Sequence, residues 1–593
     1  MKKTITIIFS FLFTLSLSAQ INPMKISKEL DKAEKNRVIR SGDESLSHLM
    51  VNPNPHTFAA PNSKNTTTEE TIGYTTYDLQ TNSSVQNRIV VHADGTISAA
   101  WTGSSEMNSV WADRGTGYNY FDGASWGAVV QPPGPFPVRL EDSRVGWPSL
   151  LAFGNGGESA ITHSTQNNNI NNAYRSSIGN GPWGDSYVSE DYLIWNRSAV
   201  GGTDGNTIHM VALTEPTGGT WTGTLYNGLN GALLYFRSQD AGNTWDIEMM
   251  QLPEMDTAYF VGFSADRYAI AAKGETVALA YFNGWGDSFI LKSTDNGDTW
   301  VKTIFVDFPV DRYVIDSGLD LDSDGTPDSL YTTDGSGAIL IDNNDIVHVS
   351  YGNMRVLDAD LSDGQSSYFP GTNGLMYWNE NIGASTTGGT WVGPSLWDHD
   401  NGLVIGASED LDQSGTLDIL EGGNYGSGLS TMPNMGIDAN GVVFVSYSTV
   451  VENITNGQNF RHIYITKSTD GGNSWSASID VTPHVDWNGM QECVYGSMSP
   501  MVDDKIRIVY QKDFEPGNTL GADADIVDYN AIVYLEVDTV GLFDNTTSII
   551  ENDNTDNIND NRIFDILGRE WKKDFADLPK GIYIINGKKI LKN

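Results

Sequence analysis

Residues 293–302 read STDNGDTWVK, and the same phrase returns at 238–247 as SQDAGNTWDI and at 468–477 as STDGGNSWSA. Each copy has the form Ser-x-Asp-x-Gly-x-x-Trp. The aspartate can accept hydrogen bonds from backbone N–H groups in a tight turn, and the glycine can take the positive φ that a chain reversal requires. The tryptophan can fold back over the hairpin and bury its ring. We interpret the phrase as a structural turn and not as a catalytic motif.

The three turns share four positions each. These are Ser238, Asp240, Gly242 and Trp245 in the first, Ser293, Asp295, Gly297 and Trp300 in the second, and Ser468, Asp470, Gly472 and Trp475 in the third. Degenerate versions, YFDGASW, PTGGTWTG and TTGGTWVG, keep the glycine and the tryptophan and lose parts of the rest. Such decay is what a structural element would show.

A strand pattern repeats around these turns. An alternating apolar strand, an Asp-, Asn- or Gly-containing turn and a second apolar strand recur at spacings of roughly 45 to 65 residues. The seven hairpins are RIVVHADGTISAAW, SLLAFGNGGESAITHS, SAVGGTDGNTIHMVAL, YAIAAKGETVALAYF, AILIDNNDIVHVSY, MGIDANGVVFVSYS and SPMVDDKIRIVYQ. Most are followed by a third strand, and a glycine–tryptophan turn then leads into a fourth.

Four-stranded units at this spacing are typical of β-propeller blades. The sequence therefore predicts an all-β propeller over residues 72–541, with seven blades, and with six or eight as the alternatives. Residues 72–80 could supply the outer strand of the last blade. Such a strand would join the two ends of the ring and remove its exposed edges.

The repeated turn resembles the Asp-box, or BNR repeat, of sialidases and related secreted propellers. The three copies match its full spacing, in register with the strand repeat. In that family the Asp-boxes lie at the periphery, away from the active site. The resemblance implies an architecture and does not by itself imply an activity.

The sialidases of that family hold a substrate carboxylate with three arginines, and use a Tyr/Glu pair as nucleophile and an Asp as acid/base. Arginine suits the first task because its planar guanidinium can pair with a carboxylate through two hydrogen bonds. The first arginine normally begins an Arg-Ile-Pro motif. Here Arg88 and Ile89 match, and Val90 replaces the proline. Several units begin with arginine, so the candidate anion-binding residues are Arg88, Arg144, Arg197, Arg267 and Arg312.

The alternative is that these arginines pair with neighbouring acids, because Asp142, Asp266 and Asp311 stand beside three of them. We prefer this alternative. The nucleophilic tyrosine and the acid/base aspartate cannot be singled out among 25 tyrosines and many aspartates. The sequence therefore names no catalytic residue.

Two acidic insertions, DLDSDGTPDSL from Asp320 and DLDQSGTLDIL from Asp410, have the spacing of an EF-hand-type calcium loop. Calcium needs six to eight hard oxygen ligands, and alternate positions of a tight loop can converge on one ion. The candidate ligands are Asp320, Asp322, Asp324 and Asp328 in the first loop, and Asp410, Asp412, Ser414, Asp418 and Glu421 in the second. Tyr331 takes the place of the final glutamate in the first loop, which then needs a ligand from elsewhere. We expect a structural Ca²⁺ at each loop, and solvated turns are the alternative.

The N-terminus has the features of an export signal. Residues 1–19 contain two early lysines, a short apolar run and small residues that end at Ala19, so we expect a signal peptide cut there. Its apolar run is short for a membrane span, and no later stretch is long enough, so no transmembrane segment is expected in the mature protein. Residues 20–71 are rich in Pro, Asn and Thr, which favours a flexible segment.

Composition limits the partners. The chain has 593 residues and a net charge of −40, with 75 acidic and 35 basic residues. This charge argues against nucleic acid, which needs a basic surface. Cys493 is the only cysteine, so no intramolecular disulfide can form.

The tail has its own pattern. Residues 542–561 are rich in Asn and Asp and read as a linker, and residues 562–593 alternate strands and turns. The phrases FDILGRE, LPKGIYII and the final KKILK resemble the type A C-terminal sorting domain of the Bacteroidetes type IX secretion system. The resemblance implies a small β-sandwich, passage across the outer membrane by the type IX machinery, and surface attachment or release. The alternative is a small β-sandwich that merely ends the protein.

Two functions follow from these observations. The first is a secreted or cell-surface Asp-box propeller that binds glycans or other extracellular polymers. The second is a sialidase-like glycoside hydrolase that uses Arg88 and other channel arginines. We lean towards the binding protein.

Overall fold

The computed structural model describes two units of the chain, Met1–Phe543 and Asp544–Asn593. In the first unit the described residues are 25–28, 30–35, 37–42, 67–108, 110–132, 134, 139–164, 169–189, 192–219, 221–385, 403–484, 488–521 and 525–543. In the second they are 563–565, 570–571, 578, 580–585 and 588–592.

The first unit is an all-β propeller of seven blades, as the hairpin repeat predicts. Blade 1 has strands Ile89–Val91, Ile97–Gly103 and Gly115–Phe121. Blade 2 has Val145–Ala152, Glu158–Ser164, Asn169–Arg175 and Gly184–Ser189. Blade 3 has Leu193–Gly201, Thr207–Thr214, Leu233–Ser238 and Ile247–Gln251. Blade 4 has Tyr268–Lys273, Thr276–Tyr281, Ser288–Ser293 and Val301–Val306.

The remaining blades complete the ring. Blade 5 has Ser329–Ile341, Val347–Leu357, Leu375–Asn379 and Leu403–Gly406. Blade 6 has Ser430–Asp438, Val443–Thr455, Asn459–Ser468 and Ile479–Asp480. Blade 7 has Glu492–Met498, Lys505–Asp513, Asn530–Asp538 and Thr67–Thr75. The first strand given for each blade is the innermost. Innermost strands of adjacent blades contact one another, which places them around the central channel.

The N-terminal strand closes the ring. Thr67–Thr75 pairs antiparallel with Asn530–Asp538 and so forms the outer edge of blade 7. The predicted closure is therefore correct, although the strand begins at Thr67 and not at residue 72. On the channel side, the Arg88 N–H donates to Ser497 Oγ at 3.0 Å and joins blade 1 to blade 7. Closure satisfies backbone groups that an open sheet edge would leave unpaired.

Several short elements lie outside the main strands of the blades. They are strands Lys25–Ile26, Thr217–Gly218, Trp221–Thr222, Ser367–Phe369, Thr416–Leu417 and Met501–Val502, and the 3-10 turn Thr519–Gly521. Within the described ranges, no helix is both long enough and apolar enough to cross a membrane.

The repeated Ser-x-Asp-x-Gly-x-x-Trp turns share one hydrogen-bond pattern. In the second copy, Ser293 Oγ donates to Asp295 at 2.7 Å and accepts from the Gly297 N–H at 2.9 Å. Thr299 donates its N–H and its hydroxyl to Asp295, at 2.9 and 2.6 Å. The copies at 238 and 468 repeat these bonds within about 0.2 Å.

Two of these turns join neighbouring blades. Trp300 of blade 4 meets the edge of Tyr235 in blade 3, with ring centroids 5.1 Å apart. Trp475 of blade 6 contacts Tyr377 of blade 5 in the same way, at 4.7 Å. In addition to covering its own hairpin, the indole therefore packs against the preceding blade, so the turn links successive repeats.

The N-terminal segment contradicts part of the sequence expectation. Residues 25–28, 30–35 and 37–42 lie against the propeller and do not form a free linker. Lys25–Ile26 pairs in parallel with Thr416–Leu417, and the backbones of Glu34 and Tyr368 exchange two hydrogen bonds. Amino-acid composition does not predict this contact, because the two pairings join residues far apart in the chain and use mostly backbone atoms.

The C-terminal unit is described as one antiparallel sheet. Its strand order is Glu570–Trp571, Ile563–Asp565, Gly581–Ile585 and Lys588–Lys592. The strands coincide with the three phrases quoted for the sorting domain. A second sheet, which a sandwich would need, is not among the described residues.

Candidate functional site

The innermost strands share a bulge at one end of the channel. The strand register shifts between residues 146 and 149, 194 and 197, 333 and 337, 431 and 434, and 494 and 497. Each bulge holds a residue with positive φ, namely Trp147, Trp195, Gly335, Met432 and Tyr495. Four of these side chains, all but the glycine, belong to one buried cluster. The bulges therefore direct side chains from four blades to one place, which we call the channel mouth.

Asp266 is the polar centre of the channel mouth. This fully buried residue of blade 4 also has a positive φ, 61°. Its carboxylate forms an ion pair with Arg197 at 2.8 Å and accepts the Trp147 indole N–H at 3.1 Å. It also accepts the backbone and the side-chain N–H of Asn82, both at 2.8 Å. A buried carboxylate needs such partners because burial removes its hydration.

Arg88, the residue expected to begin a sialidase motif, is bound inside the protein. Its guanidinium donates to the Gln80 side-chain and backbone oxygens, and to Gln86 Oε1 at 3.0 Å. Burial, and then the positive charge of Arg197, lower the pKa of Arg88 to about 9. The side chain is thus used to hold the buried segment 77–86, which crosses the channel.

The other candidate arginines occupy different surroundings. Arg144 donates to the Trp111 carbonyl at 2.9 Å, and burial lowers the pKa of Arg267. Arg312 is exposed, with a positive φ of 52°. The structure brings Arg88 and Arg197 together and leaves Arg144 and Arg312 away from them. Asp266 was expected to pair with Arg267 and pairs instead with Arg197.

The N-terminal segment seals the channel mouth. Arg37 donates to the backbone carbonyls of Asp334 and Asn82, at 2.6 and 3.0 Å. Arg40 donates through Nε to the Leu520 carbonyl at 2.8 Å. The cavity that remains among these residues is about 20 Å³, room for about one water molecule. A sugar ring does not fit in this cavity.

A tyrosine–glutamate pair borders the same cavity. Tyr425 donates to Glu492 Oε1 at 3.0 Å, and Arg461 lies 3.7 Å from that carboxylate. Burial raises the pKa of Glu492 to about 7 and raises the pKa of Tyr425 well above its usual value. The Tyr425 oxygen also accepts the Gly517 N–H at 3.1 Å and lies 2.7 Å from the Gly517 carbonyl oxygen, so its single proton is shared between that carbonyl and Glu492. The pair is therefore a buried contact between the loop that carries Tyr425 and the innermost strand of blade 7, and the tyrosine is a neutral phenol.

A cluster of buried carboxyls lies in blade 7. Asp78, Asp513 and Asp525 are each at most 9% exposed, and burial raises the pKa of all three. Thr519 donates its backbone N–H to Asp78 at 2.7 Å. The sequence does not indicate this cluster, because Asp78 stands more than 400 residues before the other two members.

The two predicted calcium loops have the same backbone form. In the first, Asp320 accepts the N–H groups of Asp324 and Gly325, at 3.1 and 2.9 Å. In the second, Asp410 accepts the N–H groups of Ser414 and Gly415, at 3.0 and 2.7 Å. Oxygens of Asp320, Asp322 and Asp328 lie within 4.8 Å of one another, whereas Asp324 bonds within its own turn.

The second loop lies beside a carboxylate that the sequence did not indicate. Glu452, fully buried in blade 6, lies with Asp410 and Asp412 in a group of oxygens within 4.8 Å of one another. Glu421, the expected final ligand, is exposed and does not belong to that group. Three hard carboxylate oxygens suit Ca²⁺, which would still need backbone oxygens or water. The remaining candidates, Ser414 and Asp418, face the turn and the solvent through exposed side chains.

Comparison with known proteins leaves the family open. No protein-family model and no curated protein matches the chain. Among solved structures, an ulvan lyase of polysaccharide lyase family PL25 aligns over 75% of this chain and 85% of its own, at 12% identity and a TM-score of 0.29. A protein of unknown function from Dyadobacter fermentans aligns over 67% and 98%, at 13% and 0.32. Trypanosoma rangeli sialidase aligns over 82% and 60%, at 11% and 0.34. Similarity this low transfers neither a site nor an activity.

Proposed function

We propose that this protein is an extracellular binding propeller and not a hydrolase, with glycans or other extracellular polymers as ligands. The observation that carries the proposal is the closed channel mouth. The arginines that a sialidase would present to a carboxylate are bound to Asp266, Gln80 and Gln86. Ligands would then be bound by the outer surface of the blades. The net charge of −40 favours neutral polymers over polyanions.

A test of this function compares hydrolysis with binding. The purified protein is assayed with a fluorogenic sialoside, and separately by affinity electrophoresis through gels that contain neutral or anionic polysaccharides. We expect no hydrolysis above the buffer blank, and retardation by at least one neutral polysaccharide. Hydrolysis that Arg88→Lys abolishes at an unchanged melting temperature would overturn the proposal, as would unretarded migration in every gel.

The second candidate is a sialidase-like glycoside hydrolase. One observation favours it: Arg88, Arg197, Arg267 and Arg37 all approach the channel mouth, close enough for one arginine to lower the pKa of another. A hydrolase would have to move the segment 37–42 before a substrate could enter. Hydrolysis that appears only after this segment is released would support this candidate.

Export and attachment belong to the same proposal. The signal peptide at 1–19 and the C-terminal sheet in 563–592 support passage through the Sec route and then through type IX machinery. The expected location is the cell surface or the medium. A fusion of residues 544–593 to a reporter tests this, since secretion should require intact type IX machinery and should fail when that tail is deleted.

A further inference from the structure

We propose that the channel mouth is a peptide-binding site, and that residues 37–42, Arg-Val-Ile-Arg-Ser-Gly, are a ligand that occupies it from within the same chain. The partner it fits is an extended peptide with arginine at the first and fourth positions and glycine at the sixth. This inference goes beyond the proposed polymer binding, because it concerns a different surface and a different ligand.

The propeller recognises the main chain of this segment. Trp195 Nε1 donates to the Arg40 carbonyl at 3.0 Å, and His163 Nε2 donates to the Ser41 carbonyl at 3.0 Å. Arg114 donates to the next carbonyl, that of Gly42, at 2.9 Å. Three consecutive carbonyls thus each accept a hydrogen bond from a buried side chain of the propeller.

Asn82 pairs with the segment as a neighbouring strand would. Its Oδ1 accepts the Arg40 N–H at 2.8 Å, and its Nδ2 donates to the Arg40 carbonyl at 3.1 Å. These two hydrogen bonds require an extended backbone in one direction. They do not depend on which side chain the bound residue carries. Main-chain bonds of this kind supply affinity in peptide recognition, and pockets supply specificity.

The receptor groups are held in place without the segment. His163 Nδ1 accepts the Trp195 backbone N–H at 3.2 Å, which leaves the proton on Nε2, where it faces Ser41. Arg114 is fixed by the Val145 carbonyl at 3.0 Å, and Asn82 by Asp266. A preformed site loses little conformational freedom on binding.

The side chains of the segment provide the specificity. Arg37 reaches the carbonyls of Asp334 and Asn82, and also Ser83 Oγ at 2.7 Å. Gly42 has a φ of +90°, and a Cβ there would overlap the Arg114 guanidinium. Any larger residue at that position would therefore break the bond to its carbonyl.

The experiment frees the segment and offers it a competitor. A protease site is inserted between Gly42 and Thr67 of the full chain, and the purified protein is cut after folding. A fluorescein-labelled peptide of residues 35–44 is then titrated and followed by anisotropy. We expect saturable binding to the cut protein and at least tenfold weaker binding to the uncut protein, because a tethered ligand competes at a high effective concentration.

Two controls separate recognition from charge. A peptide with Gly42→Val keeps both arginines and should bind at least about tenfold more weakly, because it collides with Arg114. Cut protein with Asn82→Ala should lose binding, whereas cut protein with Asn440→Ala, an exposed turn residue, should bind like the parent. Equal binding of both peptides would overturn the proposal.

A permanent role in the fold would also overturn it. If the cut fragment remains bound and millimolar peptide does not displace it, the segment is part of the core and not a ligand. Mass spectrometry of the fractions from gel filtration reads this directly. Polysaccharide retardation should persist in the Asn82→Ala variant, so failure of the peptide site and failure of polymer binding can be told apart.

Discussion

Replacing Asp266 with alanine should destabilise the propeller more than any change to an exposed ion pair. Asp266 is fully buried and holds Arg197, which is only 3% exposed. The variant would leave that guanidinium charged and without its carboxylate. It would also leave the Trp147 indole N–H and the Asn82 N–H groups without an acceptor.

The size of the effect follows from these contacts. Removal of one partner from a buried ion pair costs about 3–5 kcal/mol. Unfolding entropy is about 2.1 cal/mol/K per residue, which over roughly 480 residues gives about 1 kcal/mol/K. The melting temperature should therefore fall by about 3–5 °C. Asp266→Asn keeps the shape and one acceptor oxygen, so its effect should be smaller.

Differential scanning calorimetry measures this change, and a second arginine pair provides the control. Arg237 and Asp298 lie 2.7 Å apart, but the aspartate is 65% exposed. Asp298→Ala should lower the melting temperature by less than about 1 °C, because exposed pairs contribute little. Equal effects of Asp266→Ala and Asp298→Ala would refute the reasoning that the channel mouth is closed to bulk solvent.

Three further predictions concern the turns, the loops and pH. Gly297→Ala should lower the melting temperature more than Gly441→Ala. Both glycines have φ near 90°, where alanine loses about 1–2 kcal/mol of folding stability. Only at Gly297 would the added Cβ also overlap Tyr235. Equal costs would contradict the packing between blades. Calcium at a hundredfold excess over its Kd should raise the melting temperature by about 2–3 °C, and Glu452→Gln should remove part of this rise while Glu421→Gln should not. The reverse result would restore the sequence-based ligand. Burial raises the pKa of Glu141 to about 7 in the folded state, against about 4.5 in the unfolded chain. Between these two pH values the folded state holds a proton that the unfolded state has lost, so the protein becomes less stable as pH rises through this range. Glu141→Gln should therefore melt higher relative to wild type at pH 8 than at pH 5, by roughly 3 °C, and a constant difference would show that this carboxyl does not titrate in that range.

The fold was accessible from the sequence because it is periodic. Each blade repeats the same alternation, and the turn phrase places Asp295 and Gly297 at fixed offsets from Ser293. Local chemistry decides such turns, so local sequence predicts them. The closing strand was also predicted, since an open ring would leave unpaired edges. Its start at Thr67 was missed, because Glu69 and Glu70 give this strand little apolar character.

The contacts of the channel mouth could not be predicted from the sequence in the same way. Asp266 joins groups from blades 2 and 3 and from the segment 77–86, and no spacing along the chain encodes these contacts. The segment 25–42 was expected to be flexible because its composition is polar. Its polar groups instead bond the propeller, a possibility that composition cannot distinguish from hydration. Glu452 offered one usable signal, since it is the only acidic residue of its strand.

The closed channel mouth can be tested by the reactivity of one introduced thiol. Ser336 lines the cavity and is 2% exposed, whereas Ser125 lies on an exposed turn. The native Cys493 is fully buried, so its background reaction should be low. We expect the thiol of Ser336→Cys to react with a maleimide at least about a hundredfold more slowly than that of Ser125→Cys, because reaction requires local opening. Equal rates in the folded protein would show an open channel and would contradict the account.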